Sequence, residues 1–273
     1  MDPYVRLKEA TRWMWGLGDY RELAGFLEPH ADTLAVAAAV QPGMDALDVA
    51  AGNGNFAIAA AERGAHVIAT DLTPKMVELG RSRSDAARLD VEWREADAED
   101  LPFEAGRFDL VASVFGAMFA PRPERVASEL FRVVKPNGVV AMANYSKPGF
   151  LGSFAHLLTK FSGPPPAGLE LPSPFEWGDR ETVRRRFAGM TSSLAVEPRV
   201  VTFSFASPEE GWDFWERTNP PLIALKSMTP PDRYQEVVAE GKRLMRGMNA
   251  AGDGRLVLES EYLQVVAHKA TSA

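Results

Sequence analysis

Ala46-Leu47-Asp48-Val49-Ala50-Ala51-Gly52-Asn53-Gly54-Asn55-Phe56-Ala57 opens the stretch that decides the fold, and His66-Val67-Ile68-Ala69-Thr70-Asp71 closes it. Ala46 to Val49 is apolar apart from one acid and reads as a buried strand. The small residues after it read as a tight turn, and Ala57 to Arg63 as the first turns of a helix. A second apolar run then ends in a carboxylate. A strand, a glycine turn, a helix and a strand ending in an acid form the opening unit of a nucleotide-binding α/β sheet. Gly52 and Gly54 lack a Cβ, so a ligand can lie against the backbone there. N–H groups at the helix start can meet polar ligand atoms. Ionised Asp71 is acceptor-only, which suits it to the vicinal hydroxyls of a ribose. At this point two cofactor types remain open, because Gly52-x-Gly54-x-x-Ala57 with Asp71 also satisfies the dinucleotide fingerprint.

The composition bounds the answer. A chain of 273 residues, 46% hydrophobic and 25% charged, can bury a sizeable core as one large domain or a domain with a cap. A net charge of −7 argues against a broad nucleic-acid surface. The absence of cysteine excludes disulfides, thiolate metal sites and a cysteine nucleophile. The four histidines are scattered, so no metal constellation is expected. Met1 to Gly16 has no signal-peptide apolar core, and no apolar run reaches a membrane-span length of about 18 residues. A cytoplasmic location is expected.

Outward from the opening unit, residues 3–40 read as helices: Val5 to Trp15, then Tyr20 to Leu27 stopped near Pro29, then Thr33 to Val40 capped by Asp32. Trp13, Trp15 and Tyr20 read either as cap core or as a pocket wall, and His30 as a turn residue. Thr73-Pro74 opens a helix after Asp71, with proline in its first turn. Leu72 and Met76, just past the acid, either touch a base or pack the helix on the sheet. Val91 to Arg94 reads as the third strand, Phe108 to Phe115 as the fourth and Val139 to Ala143 as the fifth, with Pro123 to Val134 a helix between the last two. Asp97, first after the third strand, is placed to accept from a base amino group, whereas Glu99 and Asp100 read as solvated loop charges. Strands alternating with helices predict a parallel sheet covered on both faces.

Four segments carry a resemblance. Leu47-Asp48-Val49-Ala50-Ala51-Gly52-Asn53-Gly54, Asp71-Leu72-Thr73-Pro74-Lys75-Met76, Asp97-Ala98-Glu99-Asp100-Leu101-Pro102-Phe103 with Phe108-Asp109, and Glu129-Leu130-x-Arg132-Val133-Val134-Lys135-Pro136-x-Gly138 stand in order. Together they resemble the class I S-adenosylmethionine-dependent methyltransferase core, similar to the ubiquinone/menaquinone-biosynthesis methyltransferase group. Ala50 departs from the family's usual glycine, which implies a turn without a strongly glycine-only conformation. The resemblance implies a Rossmann-like doubly wound, mostly parallel sheet with an antiparallel final edge strand and a helical substrate cap. It divides a single domain, 1–273, into an N-terminal helical cap (1–42), a cofactor core (43–146), a cap insertion (147–195) and C-terminal strands with lid helices (196–273). It implies S-adenosylmethionine as donor and S-adenosylhomocysteine as product, without a metal. Asp48, Ala50, Ala51, Gly52, Asn53 and Gly54 fall to the amino-acid moiety, and Asp71, Leu72 and Met76 to the ribose and its surroundings. Asp97 and Ala98 flank the adenine, and Ser113, Val114 and Phe115 line the crevice.

Beyond the fifth strand the pattern loosens. Gly149 to Phe161 reads as a short apolar helix, and Gly163-Pro164-Pro165-Pro166 with Leu171-Pro172-Ser173-Pro174 as an irregular bracket. Asp179 caps a helix through Phe187, Val196 to Phe205 reads as the sixth strand, and Ser207-Pro208 and Pro230 start two further helices. Arg255 to His268 reads as the final strand. Tyr20, Met118, Tyr145, Phe150, Trp212 and Trp215 are the candidate substrate residues. His156 is the candidate base, because imidazole titrates near neutrality, with Tyr145 as a second candidate. The expected reaction is methyl transfer to a small apolar or aromatic metabolite in biosynthesis. The alternatives are a methyltransferase-like protein that catalyses a cyclisation, a dinucleotide oxidoreductase and a non-enzymatic cofactor binder.

Overall fold

A computed structural model describes residues 3–163, 169 and 171–271. The chain runs α1 (Pro3–Trp15), α2 (Tyr20–Ala37), β1 (Asp45–Val49), α3 (Asn55–Glu62), β2 (His66–Asp71), α4 (Pro74–Ala87), β3 (Val91–Glu95), β4 (Phe108–Val114), α5 (Pro123–Val133) and β5 (Val134–Gly149). It continues through α6 (Phe150–Ser162), α7 (Arg180–Phe187), β6 (Thr191–Phe205), α8 (Pro208–Thr218), α9 (Pro220–Met228), α10 (Pro231–Gly247) and β7 (Leu256–Lys269). One seven-stranded sheet has the order β3-β2-β1-β4-β5-β7-β6. The first five strands pair in parallel, and β7 is antiparallel to both β5 and β6. The order reverses between β1 and β4, so their carboxyl ends open a crevice.

Local chemistry explains these elements. Ala46 to Val49 are buried on both faces, as a central parallel strand requires. Ala57, Ala59 and Ala60 let α3 lie close on the sheet. In α5, Val126, Ala127, Leu130 and Phe131 recur at helical spacing and face inward. Trp93 of β3 is wedged between the start of α3 and the middle of α4: a Cβ on Gly54 would stand 2.6 Å from its ring, and one on Gly80 2.0 Å. Its indole N–H donates to Ser84 Oγ at 3.1 Å.

Several boundaries differ from the sequence reading. Pro29 does not stop a helix: α2 runs through it, capped by Asp19 rather than by Asp32. Pro29 and Gly25, whose carbonyl the proline leaves unpaired, both face solvent, where water can take the lost bond. Asp32 instead pairs with Arg63 at 2.6 Å. β5 is longer than expected, because Pro136-Asn137-Gly138 forms an irregularity within the strand, with Asn137 at φ 63°, instead of ending before it. β6 also starts earlier, at Thr191. The final strand is antiparallel as read, but it lies one place inside the sheet and β6 forms the edge. A separate helix, α9, follows Asn219, whose Oδ1 caps it at Leu222 N–H, 3.0 Å. Pro164, Pro165 and Pro166 of the irregular bracket lie outside the described residues.

Candidate active site

The carboxyl ends of β1, β2, β3 and β4 surround one crevice. From β1 and its turn come Asp48, Ala50, Ala51, Gly52 and Asn53, and from β2 and α4 come Asp71, Leu72 and Met76. Asp97 and Ala98 follow β3, and Val114 and Phe115 end β4. Thus twelve of the fourteen residues assigned to the cofactor share one wall system. The other two do not line it. Gly54 is the left-handed residue before α3, at φ 88°, held against Trp93. Ser113 is buried in the sheet, where its hydroxyl donates to Val49 O at 2.7 Å and accepts from Ala117 N–H at 3.0 Å. Their roles are to shape the two turns.

Ala50 sits at φ 54°, so its turn does use the left-handed conformation, contrary to the expectation drawn from the missing glycine. Alanine reaches that region at a cost of about 1–2 kcal/mol. A Cβ on Gly116 would stand 2.1 Å from Ala50 O, so Gly116 makes room for this turn.

The turn satisfies its own amides. Ala51 N–H donates to Thr70 O at 2.8 Å and Gly54 N–H to Ala51 O at 2.9 Å. Gly52 N–H donates to Asp71 Oδ2 at 2.8 Å, and Ala57 N–H to Asp48 Oδ2 at 2.9 Å. Amides committed in this way are not offered to a pyrophosphate, which would also face two buried carboxyls. Burial pushes the Asp48 carboxyl up to about 8, with Asp71 adding to the rise and Ala57 N–H opposing it. Burial also raises Asp71, against the N–H groups of Thr73 and Gly52. Asp48 Oδ1 is buried without a partner on the crevice wall. Such a site suits a ligand that brings positive charge, as the sulfonium and ammonium of S-adenosylmethionine do.

Lys8, Thr11 and Trp15 of α1 roof the crevice. Their i, i+3, i+7 spacing is a helical stripe that the sequence displays, although only Trp15 was weighed as a wall. Asp97 is already engaged: Lys8 pairs with its Oδ2, and Oδ1 accepts from Glu99 N–H at 2.9 Å. Glu99 is not a solvated loop charge. Its side chain is fully buried between Lys8 and Arg122.

A second cavity adjoins the first through Trp15, Tyr20, Leu27, Phe115 and Phe119, which line both. It also takes Tyr145, Leu151, Phe154, Leu158, Phe175 and Trp215, with Thr159, Ser162 and Asn219 as polar members. Among the described residues, no Asp, Glu, Lys, Arg or His lines it. Phe115 holds φ 56°, strained for a bulky residue, and stacks on Tyr145 with centroids 4.1 Å apart. Burial raises the phenols of Tyr20, also beside Asp71, and of Tyr145, so both stay neutral near pH 7.

Of the six predicted substrate residues, Tyr20, Tyr145 and Trp215 line this cavity. Met118, Phe150 and Trp212 do not. Met118 is buried in the short turn after β4. Phe150 stacks behind the wall on Phe154 and Trp215, and Trp212 packs on Gly241 of α10. His156 is exposed and lines neither cavity. Residues 151, 154, 155, 158, 159 and 162 turn the other side of α6 inward, which leaves the imidazole out of reach. His30 lies within α2, not in a turn, with Nδ1 3.1 Å from the Tyr262 hydroxyl, behind Phe115. Trp13 is half exposed on α1. Among the described residues, no group of three or more metal-ligating side chains is placed to hold an ion. No described helix is long and apolar enough to cross a membrane.

The crevice at the sheet reversal and the paired acids on its wall define a class I S-adenosylmethionine-dependent methyltransferase, and residues 47–142 match the methyltransferase domain family. Within that class the chain belongs to a family with the uncharacterized protein Rv1403c of Mycobacterium tuberculosis H37Rv. The two are 37% identical over 262 residues, 94% of this chain and 93% of the relative. A demethylmenaquinone methyltransferase of Clavibacter sepedonicus is 42% identical over 117 residues, which spans 42% of this chain and 47% of that one. A putative methyltransferase from Bacillus halodurans C-125 shares the fold, with a TM-score of 0.59 at 24% identity over 88% of this chain and 99% of its own.

Proposed function

We propose that the enzyme transfers the methyl group to a small, uncharged, largely apolar or aromatic acceptor bound in the second cavity. The observation that carries this reading is the shared wall. The second cavity meets the cofactor crevice at Tyr20 and Phe115, and among the described residues its lining is mostly aromatic and aliphatic, with Thr159, Ser162 and Asn219 uncharged and no ionised group. A charged acceptor would lose its hydration there without gaining a counter-ion. In this reading Asp71 takes the ribose hydroxyls, Asp97 and Ala98 flank the adenine, and Asp48 faces the cationic methionine end.

S-adenosylmethionine supplies an electrophilic methyl carbon on sulfur, so the chain's task is alignment more than acid–base chemistry. Phe115, stacked on Tyr145, fixes the partition between the two cavities. The neutral Tyr20 and Tyr145 hydroxyls orient an acceptor oxygen and do not deprotonate it. With no imidazole or carboxylate among the described lining residues, the acceptor binds neutral and its proton passes to water as the methyl is transferred, which suits weakly acidic O–H and C–H groups such as phenols, quinols and acidic carbons. Labelled-methyl transfer from S-adenosylmethionine to a panel of phenols, quinols, amines, phosphomonoesters and carboxylates tests this. Labelling of the uncharged aromatic members is expected, whereas labelling confined to charged members overturns the acceptor reading.

A further inference from the structure

Glu99 stands at a junction of three segments. Its Oε1 accepts Arg122 N–H at 2.7 Å, and its Oε2 accepts the Arg122 guanidinium through Nε at 2.7 Å and through the terminal nitrogen at 2.6 Å. Lys8 of α1 reaches the same Oε2 and also Asp97. The Arg122 guanidinium lies over the ring of Tyr4, again on α1, at 4.8 Å. One buried carboxylate therefore ties α1 and the loop after β3 to the loop between β4 and α5.

Those segments carry part of the cavity lining that the sheet does not supply. α1 contributes Lys8, Thr11 and Trp15 to the crevice roof, and the β4–α5 loop contributes Phe119, Ala120 and Pro121. Trp15 and Phe119 pack at 5.2 Å and also wall the second cavity. None of the residues of α1 is buried, so hydrophobic burial contributes little to seating it. A carboxylate out of water holds its cations far more tightly than a surface pair would.

We propose that Glu99 is a positioning residue that clips α1 to the β4–α5 loop, so that the cofactor roof and the wall of the acceptor cavity close as one piece. Occupancy of the crevice then sets the geometry of the acceptor site. This rests on the reading of the two cavities as donor and acceptor sites.

The test uses Glu99→Gln, Lys8→Met and Lys8→Arg in the full chain. Lys8→Met removes the lysine link from α1 to Glu99 but leaves Glu99 paired with Arg122, so it remains informative if Glu99→Gln fails to fold. Lys8→Met and Glu99→Gln are each expected to weaken S-adenosylhomocysteine binding about tenfold and to raise the acceptor KM in parallel, and Glu99→Gln, whose side chain lines neither cavity, to keep kcat at saturation of both substrates nearly unchanged. Lys8→Arg is expected to restore both. Folded variants that bind S-adenosylhomocysteine as the wild type does overturn the clip. Weakened binding with an unmoved acceptor KM overturns the coupling. Wild-type protein that fails to bind S-adenosylhomocysteine at all overturns the cofactor reading instead.

Discussion

Asp71 Oδ2 accepts the backbone N–H of Gly52 at 2.8 Å, while its Oδ1 accepts that of Thr73, also at 2.8 Å. The acid at the end of β2 and the turn after β1 are therefore one unit, and the carboxylate proposed to take the ribose hydroxyls also holds the loop beside it. Asp71→Ala removes both functions. Hydrogen bonds to a charged group contribute about 1.5–3 kcal/mol each, so S-adenosylhomocysteine affinity should fall at least about tenfold by calorimetry. Unchanged affinity would remove the assigned role.

Asp48 makes the ligand-free enzyme sensitive to pH. Its folded carboxyl sits at about 8 against an ordinary 3.8. The folded chain therefore keeps a proton that the unfolded chain has lost between those values. The contribution to stability is fully present below the lower value, and it is lost as pH rises through the upper one. Asp48→Asn keeps the neutral form throughout. Its melting temperature should exceed that of the wild type by an amount that grows up to about pH 8 and then levels, reaching about 3 °C or more. The same substitution should weaken S-adenosylmethionine binding and flatten its rise with pH. A melting difference that stays constant from pH 5 to 9 would sink this account.

The second cavity, proposed to take the acceptor, can be filled from α6. Ala155 lines it and does not line the crevice. Ala155→Phe should raise the KM of an active acceptor about tenfold or more and leave S-adenosylhomocysteine affinity within about twofold, because the added ring occupies only the second cavity. Equal loss of both would mean that the two cavities are not separable sites.

Ala50 carries backbone strain at φ 54°. Glycine relieves about 1–2 kcal/mol there, but its greater freedom in the unfolded chain takes back about 0.5–1. Ala50→Gly should thus raise stability by up to about 1 kcal/mol in denaturant titration, with cofactor binding kept. Gly80→Ala should do the opposite, lowering stability by about 1–3 kcal/mol, since its Cβ would stand 2.0 Å from Trp93.

The cofactor half was legible because its signals are local. A strand, a turn and an acid lie within 26 consecutive residues, and the small side chains at 50–54 have few other uses. The acceptor half was not. Phe150, Phe154, Trp212 and Trp215 have the same apolar character, yet only Phe154 and Trp215 face the cavity, and that choice depends on how α6 and α8 are turned about their axes. His156 failed for the same reason, one residue from the lining position 155. Glu99 was misread because its partners, Lys8 and Arg122, are 91 residues before it and 23 after it, so nothing nearby in sequence marks it as buried. Pro29 misled because a proline stops a helix in sequence statistics, whereas on a wet face the broken bond costs little.

The place of β7 has a bearing on the order in which the chain can assemble. The strands from β1 to β5 find their partners as the first 149 residues are made, each next to one already present. β6 does not pair with any of them: its one neighbour among the described strands is β7, with which it pairs from Thr191 to Phe205. The aromatic residues of α2, β6 and α8 pack together, Phe26 lying against Phe203, Phe205 and Phe214, on the strand that β7 joins to the sheet. β7 therefore seals the sheet, and without it β5 would become an open edge and β6 would have no partner strand.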